Sequence, residues 1–212
     1  MYLLDSHCDT PSQILRLRDL SIDNDHSHVD FPKLSRGGVD GAFFALYVPA
    51  SLQEEDAYTY AYRLLEAVRA TVAANPDKAA FALSHEQALS NKDSGLFSVF
   101  MGLENGSPLG HSMERLREFH DAGVRYVTLC HSRDNQICDS CASASGHWGG
   151  LSPFGKDLVK EMNSIGMMVD VSHISDASFY DVIDCSSKPV VATHSCCRAL
   201  AEIGRASCRE RV

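Results

Sequence analysis

No run of apolar residues in this sequence of 212 residues approaches the roughly 20 needed to cross a bilayer, so no membrane-spanning helix is expected. The opening MYLLDSHCDT has no basic region and no long apolar stretch, and it reads as a first strand, not as a secretory leader. Positive charge is also scarce. Lys and Arg number 19 against 28 Asp and Glu, for a net charge of −9. Without a stripe of clustered basic residues a nucleic-acid partner is excluded, and the acidity reads as a solvated surface. Repeats, linkers and low-complexity stretches are absent. A disulfide framework is not expected either. Cys8, Cys130, Cys138, Cys141, Cys185, Cys196 and Cys197 sit in strand-like or small-residue segments, a pattern that fits reduced thiols in a cytosol. Cys138-Asp-Ser-Cys141 has the spacing of a redox or zinc pair, yet no second pair accompanies it, and a structural role is expected.

What is present is alternation. Strand-like segments at Tyr2–Ser6, Gly41–Val48, Leu96–Leu103, Val124–Cys130, Met167–Val171 and Pro189–Thr193 are separated by helical patterns. A polar, turn-rich stretch covers Ile22–Ser35. The helix over Glu54–Ala74 puts Ala57, Ala61, Leu64, Leu65, Val68 and Val72 on one face and ends at Asn75-Pro76. A helix over Met113–Ala122 is closed by Gly123. Another starts with Ser152 as its cap and Pro153 in its first turn and stops at Gly166, and a last one spans Ser175–Ile183. Strands apolar throughout and alternating with helices imply parallel βαβ units. The expected class is α/β, an incomplete TIM-type (β/α)8 barrel with about six of its roughly eight strands; an open doubly wound sheet gives the same alternation. One domain is expected over residues 1–201. Residues 202–212, EIGRASCRERV, match what a widely used sequencing-adapter oligonucleotide encodes in frame, and are expected to be a non-native tail; a basic C-terminal helix is the other reading.

His, Asp and Glu recur where these strands end. His7 and Asp9 form an H-x-D after the first, and Glu104, His131, His173 and His194 each follow a later one. Active sites in parallel α/β folds are built at that edge. Singly, each residue also suits a cap, a turn or an ordinary loop. Jointly they suit a divalent metal, because imidazoles and carboxylates are the ligands zinc takes. Side chains at i and i+2 share a face of a strand, so His7 and Asp9 can serve one ion. Glu104 can bridge two ions, with His173 and His194 on the second. Two ions about 3.5–4 Å apart acidify a shared water, which is the chemistry of a hydrolase. His26, His28, His85, His111, His120 and His147 lack this placement and are expected to be surface or structural residues.

The segments DSHCDTP (Asp5–Pro11), GLENGSPLG (Gly102–Gly110), YVTLCHSRDNQICDS (Tyr126–Ser140), GLSPFGKDLVKEMNSIGMMVDVSHIS (Gly150–Ser175) and PVVATHSCCRAL (Pro189–Leu200) resemble, in order, the signatures of the membrane (renal-type) dipeptidase family. The resemblance implies a zinc-dependent dipeptidase acting on dipeptides through a hydroxide bridging two zinc ions. His7 and Asp9 would hold the first Zn2+, Glu104 would bridge, and His173 and His194 would hold the second. His131 would contact the substrate and stabilise the oxyanion. It also implies a possible homodimer. Two departures stand out. The family continues with two more βα units, one carrying an aspartate that assists proton transfer, and its substrate-binding arginine corresponds only to Arg205, inside the suspect tail. The isolated chain is therefore expected to fold poorly and to show little activity. Two other readings are an amidohydrolase-type deaminase or cyclic-amide hydrolase, disfavoured because those barrels open with H-x-H, and a non-catalytic metal-binding module.

Overall fold

The computed structural model describes residues 1–16, 18–52 and 54–196. Residues 202–212, with Arg205, and Cys197 lie outside the described residues. The chain divides into two compact units, Met1–Tyr47 with Ala61–Gly102, and Val48–Tyr60 with Leu103–Val212.

The first unit holds strands β1 (Leu4–Cys8), β2 (Gly41–Tyr47) and β3 (Ala79–Phe81), and most of β4 (Phe97–Glu104). Its helices are α1 (Thr10–Ile14), α2 (Phe31–Arg36), the later part of α3 (Glu54–Ala73), and α4 (His85–Asp93). β1 runs parallel to β2, next comes β4, and β3 lies parallel against β4. β2 is buried along almost its whole length, as expected of a strand covered on both faces. Phe43 stacks on Phe100 at 4.8 Å between centroids, and Phe44 tilts against Phe97. The buried face of α3 within this unit is Ala61, Leu64, Leu65, Val68 and Val72, the apolar stripe read from the sequence.

Three features here depart from expectation. β1 starts and ends two residues later than the apolar run suggests, and its register with β2 shifts between Asp5 and Cys8. A bulge of this kind re-aims side chains, and it lies at His7. The turn-rich stretch contains α2, opened by Asp30, whose side chain accepts a hydrogen bond from the Lys33 N–H. β3 and α4 were not anticipated; α4 is capped by Ser84, which accepts from Gln87 N–H.

The second unit continues from the end of β4 through β5 (Val124–Thr128) to β6 (Met168–Asp170), with α5 (Met113–Asp121), α6 (Pro153–Ile165) and α7 (Asp176–Cys185). β5 and β6 are parallel, in a register that sets Thr128 opposite Asp170. The helix boundaries follow the caps. Ser152 accepts from Gly155 N–H, Ser175 accepts from Ser178 N–H, and Gly166 ends α6 at φ +79°, where a residue without a Cβ is least strained. Pro189–Thr193, expected to be a strand, forms only a single parallel bridge between Asp170 and Val191. The reason is local. Beyond that bridge the Thr193 N–H donates to the Asp170 side chain, so a carboxylate takes the place of a ladder.

Among the described residues no helix is long and apolar enough to cross a membrane.

Candidate metal centre

Four of the six expected site residues meet inside the second unit. Glu104 closes β4 and is 3% exposed. Its Oε1 lies 3.2 Å from His173 Nε2, 3.4 Å from His194 Nε2 and 3.7 Å from His131 Nε2. His173 Nε2 and His194 Nε2 are 2.7 Å apart. Two ring nitrogens that close cannot both carry hydrogens, so at least one lone pair points into the cluster. Side-chain nitrogens and a carboxylate oxygen of Glu104, His131 and His173 all fall within 4.8 Å of one another. A buried carboxylate facing several imidazole nitrogens is the donor set of a divalent cation, and these residues fit one.

His7 and Asp9 belong to the first unit. His7 lies in the bulged end of β1, and its Nε2 is 3.6 Å from Asp9 Oδ1. Asp9 precedes α1, but its side chain makes no capping hydrogen bond there. An imidazole and a carboxylate at that separation can serve a single cation.

The backbone at the strand ends is unusual. His173 has φ +70° and Asn105 has φ +75°, a left-handed conformation uncommon outside glycine and one that clusters at functional sites. Asn105 is held there by its own side chain. Its Nδ2 donates to the Val48 carbonyl at 2.9 Å, and its Oδ1 accepts from Ser107 N–H and from the Ser107 hydroxyl. His131 is fixed through its main chain, whose carbonyl accepts from the Ser140 hydroxyl at 2.5 Å.

Residues 129–152, between β5 and α6, form a long connection, and such loops are commonly functional. Asp139, 2% exposed, organises it. Its Oδ1 accepts from His147 N–H and Trp148 N–H, and its Oδ2 from Gly150 N–H. Burial pushes this carboxyl up, but the backbone donors Trp148, His147, Gly150 and Gly149 outweigh it and hold the pKa below the ordinary 3.8. The loop also borders a cavity of about 630 Å³ lined by Asn105, Arg133, Asn135, His147 and Trp148 among others, within the size range of small-molecule sites. Cys138 turns away from a redox role. It bonds Cys130 instead of pairing with Cys141, and burial pushes its thiol well above the usual range.

A depressed carboxyl pKa stabilises above the unfolded value and is lost as pH falls through the folded one. The loop is therefore expected to loosen below about pH 4, by that linkage, and Asp139→Asn is expected to loosen it at neutral pH. An amide cannot accept from donors on both of its sides, and hydrogen bonds to a charged group contribute about 1.5–3 kcal/mol. Trp148, the only tryptophan in the chain, is the reporter. Its ring N–H donates to the Asn135 carbonyl at 2.8 Å, so its fluorescence should shift in the variant and on acidification. An Asp139→Asn spectrum identical to that of the parent at pH 7 would contradict this account.

Asp139 and Asp170 are not among the residues singled out from the sequence. Asp170 had one weak signal, a charged residue inside the otherwise apolar MMVDV. Asp139 had none, because its partners are backbone amides of a loop.

A family model described as membrane dipeptidase (peptidase family M19) matches residues 1–208. Dipeptidase tcpJ of Claviceps purpurea is 34% identical over 92% of this chain and 50% of its own length. Dipeptidase 3 of Rattus norvegicus is 30% identical over 94% of this chain and 42% of its own length. Among solved structures, the probable dipeptidase PvdM from Pseudomonas aeruginosa superposes with a TM-score of 0.84 at 26% identity, covering 96% of this chain and 55% of that one. A metallo peptidase from Rhodobacter sphaeroides, liganded with a phosphinate mimic of the dipeptide L-Ala-D-Ala, gives 0.85 at 25% identity over 94% and 66%. The chain thus spans about half the length of the curated relatives it matches.

Proposed function

The chain belongs to the membrane dipeptidase family, peptidase family M19, and on that premise we propose that it is the part of a zinc dipeptidase that carries the metal ligands. The observation that carries the reading is the meeting of Glu104, His173 and His194, with contacts of 2.7–3.4 Å. His173 and His194 would hold one Zn2+, His7 and Asp9 would hold the other, and Glu104 would be a ligand shared by both. When bound, the pair of cations would make a shared water acidic enough to attack a peptide carbonyl at neutral pH. His131 donates from Nε2 to the carbonyl oxygen as charge develops on it. The substrate is a dipeptide, a reading supported by the dipeptidase names of the curated relatives and by the dipeptide mimic on the Rhodobacter sphaeroides protein. A cytosolic setting and a homodimer belong to the same proposal.

The test is metal content by native mass spectrometry together with dipeptide hydrolysis, on this chain and on the full gene product that carries it. The full product should bind about two ions and hydrolyse dipeptides. This chain alone should turn over poorly. Leu3 and Leu4, just before and at the start of β1, are exposed, the only strand neighbour of β1 among the described residues is β2, and an open edge invites aggregation. A full product that binds no metal, or equal turnover by both, would overturn the reading.

A further inference from the structure

Asp170 ends β6 and is fully buried, yet among the described residues no cation pairs with it. A buried carboxylate is tolerated only when its oxygens are satisfied, and here hydroxyls and amides do so. Oδ2 accepts from the Thr128 hydroxyl at 2.6 Å and the Thr193 hydroxyl at 2.7 Å. Oδ1 accepts from Ser172 N–H, the Ser172 hydroxyl and Thr193 N–H, at 2.9–3.1 Å. The carboxylate therefore fastens β5, the turn before His173 and the segment before His194 to one point.

The proton order through Thr193 follows. A hydroxyl has one hydrogen, and Thr193 gives it to Asp170, which can only accept. Thr193 Oγ1 also lies 2.8 Å from His194 Nδ1, so that contact needs the hydrogen on Nδ1. His194 is then the Nδ1–H tautomer, and its Nε2 lone pair faces His173 Nε2 and Glu104 Oε1. The backbone adds to the hold, since His194 N–H donates to Ser172 Oγ at 3.2 Å.

We propose that Asp170 is a positioning residue that, through the Thr193 hydroxyl, fixes the tautomer and aim of His194. Its effect on metal affinity rests on the metal reading above; its effect on the tautomer does not. Partners behind a metal-binding histidine commonly set its tautomer in this way.

The experiment uses the full gene product labelled with 15N-histidine. Imidazole 15N shifts of the metal-free protein identify the tautomer, and competition with a chromogenic chelator gives zinc affinity. In the parent, His194 should carry its hydrogen on Nδ1. Thr193→Val should let the Nε2–H form appear and weaken zinc binding by about 10–100-fold, while Thr193→Ser should keep both parental properties. A parental His194 protonated on Nε2 overturns the proposal without any variant. So does a folded Thr193→Val protein with the parental tautomer and zinc affinity. If the parent binds no zinc, the metal reading fails, and the tautomer alone decides for or against the relay.

Discussion

In the full gene product, Glu104→Gln should reduce dipeptide turnover by at least about 10³-fold and leave the protein unable to hold two ions. The carboxylate is 3% exposed and lies within 3.7 Å of His131, His173 and His194 nitrogens. The amide keeps its size and removes its charge, so packing is preserved while the proposed bridge is lost. Metal ions supply several kcal/mol of stabilisation to developing charge, and each 1.36 kcal/mol is tenfold in rate, which sets the expected loss. Stability separates this from general damage. The metal-free variant should melt close to the metal-free parent, since the amide fills the same volume and keeps an oxygen that can accept from His173, whereas the parent should gain more stability on adding zinc. Metal analysis, calorimetry with and without zinc, and turnover read the three consequences. A variant retaining two ions and near-parental turnover would remove Glu104 from the bridging position.

Much of this arrangement was legible because strand ends in parallel α/β folds collect function. Glu104, His131 and His173 each follow a strand apolar enough to be recognised, and the structure gathers them with His194. Helices were read where a cap and an apolar stripe agreed, as at Ser152 and Gly166. Elements with a weaker pattern escaped. β3 has three residues, too few for a period, and α4 buries only Ala88, so it has almost no apolar stripe. The register shift near the end of β1 is revealed by pairing partners alone. Pro189–Thr193 has strand composition, but beyond the Val191 bridge the Thr193 N–H turns to the side chain of Asp170, 23 residues earlier. The carboxylates Asp139 and Asp170 were hidden for the same reason. Their meaning lies in donors brought from elsewhere in the chain, and no local pattern records that.

In the full gene product, His131→Ala should lower kcat by about 10²–10³-fold while metal content stays at the parental value. The contrast with Glu104 decides what His131 is. Its Nε2 belongs to the group of potential ligand atoms around Glu104 and His173, so a third imidazole ligand is the rival account. Geometry favours the other role. Its nitrogen is the farthest of the three from Glu104 Oε1, 3.7 Å against 3.2 and 3.4 Å, and its ring is tilted against that of His173 with centroids 4.2 Å apart. Its main chain is pinned by Ser140, which limits how far the ring can move, as the proposed donor role requires. Loss of one preorganised donor to an oxyanion costs about 10²–10³ in kcat. KM for a dipeptide should move little, because such a donor acts mainly once charge develops. If the variant instead loses an ion, His131 is a ligand, and the oxyanion must be held by another group.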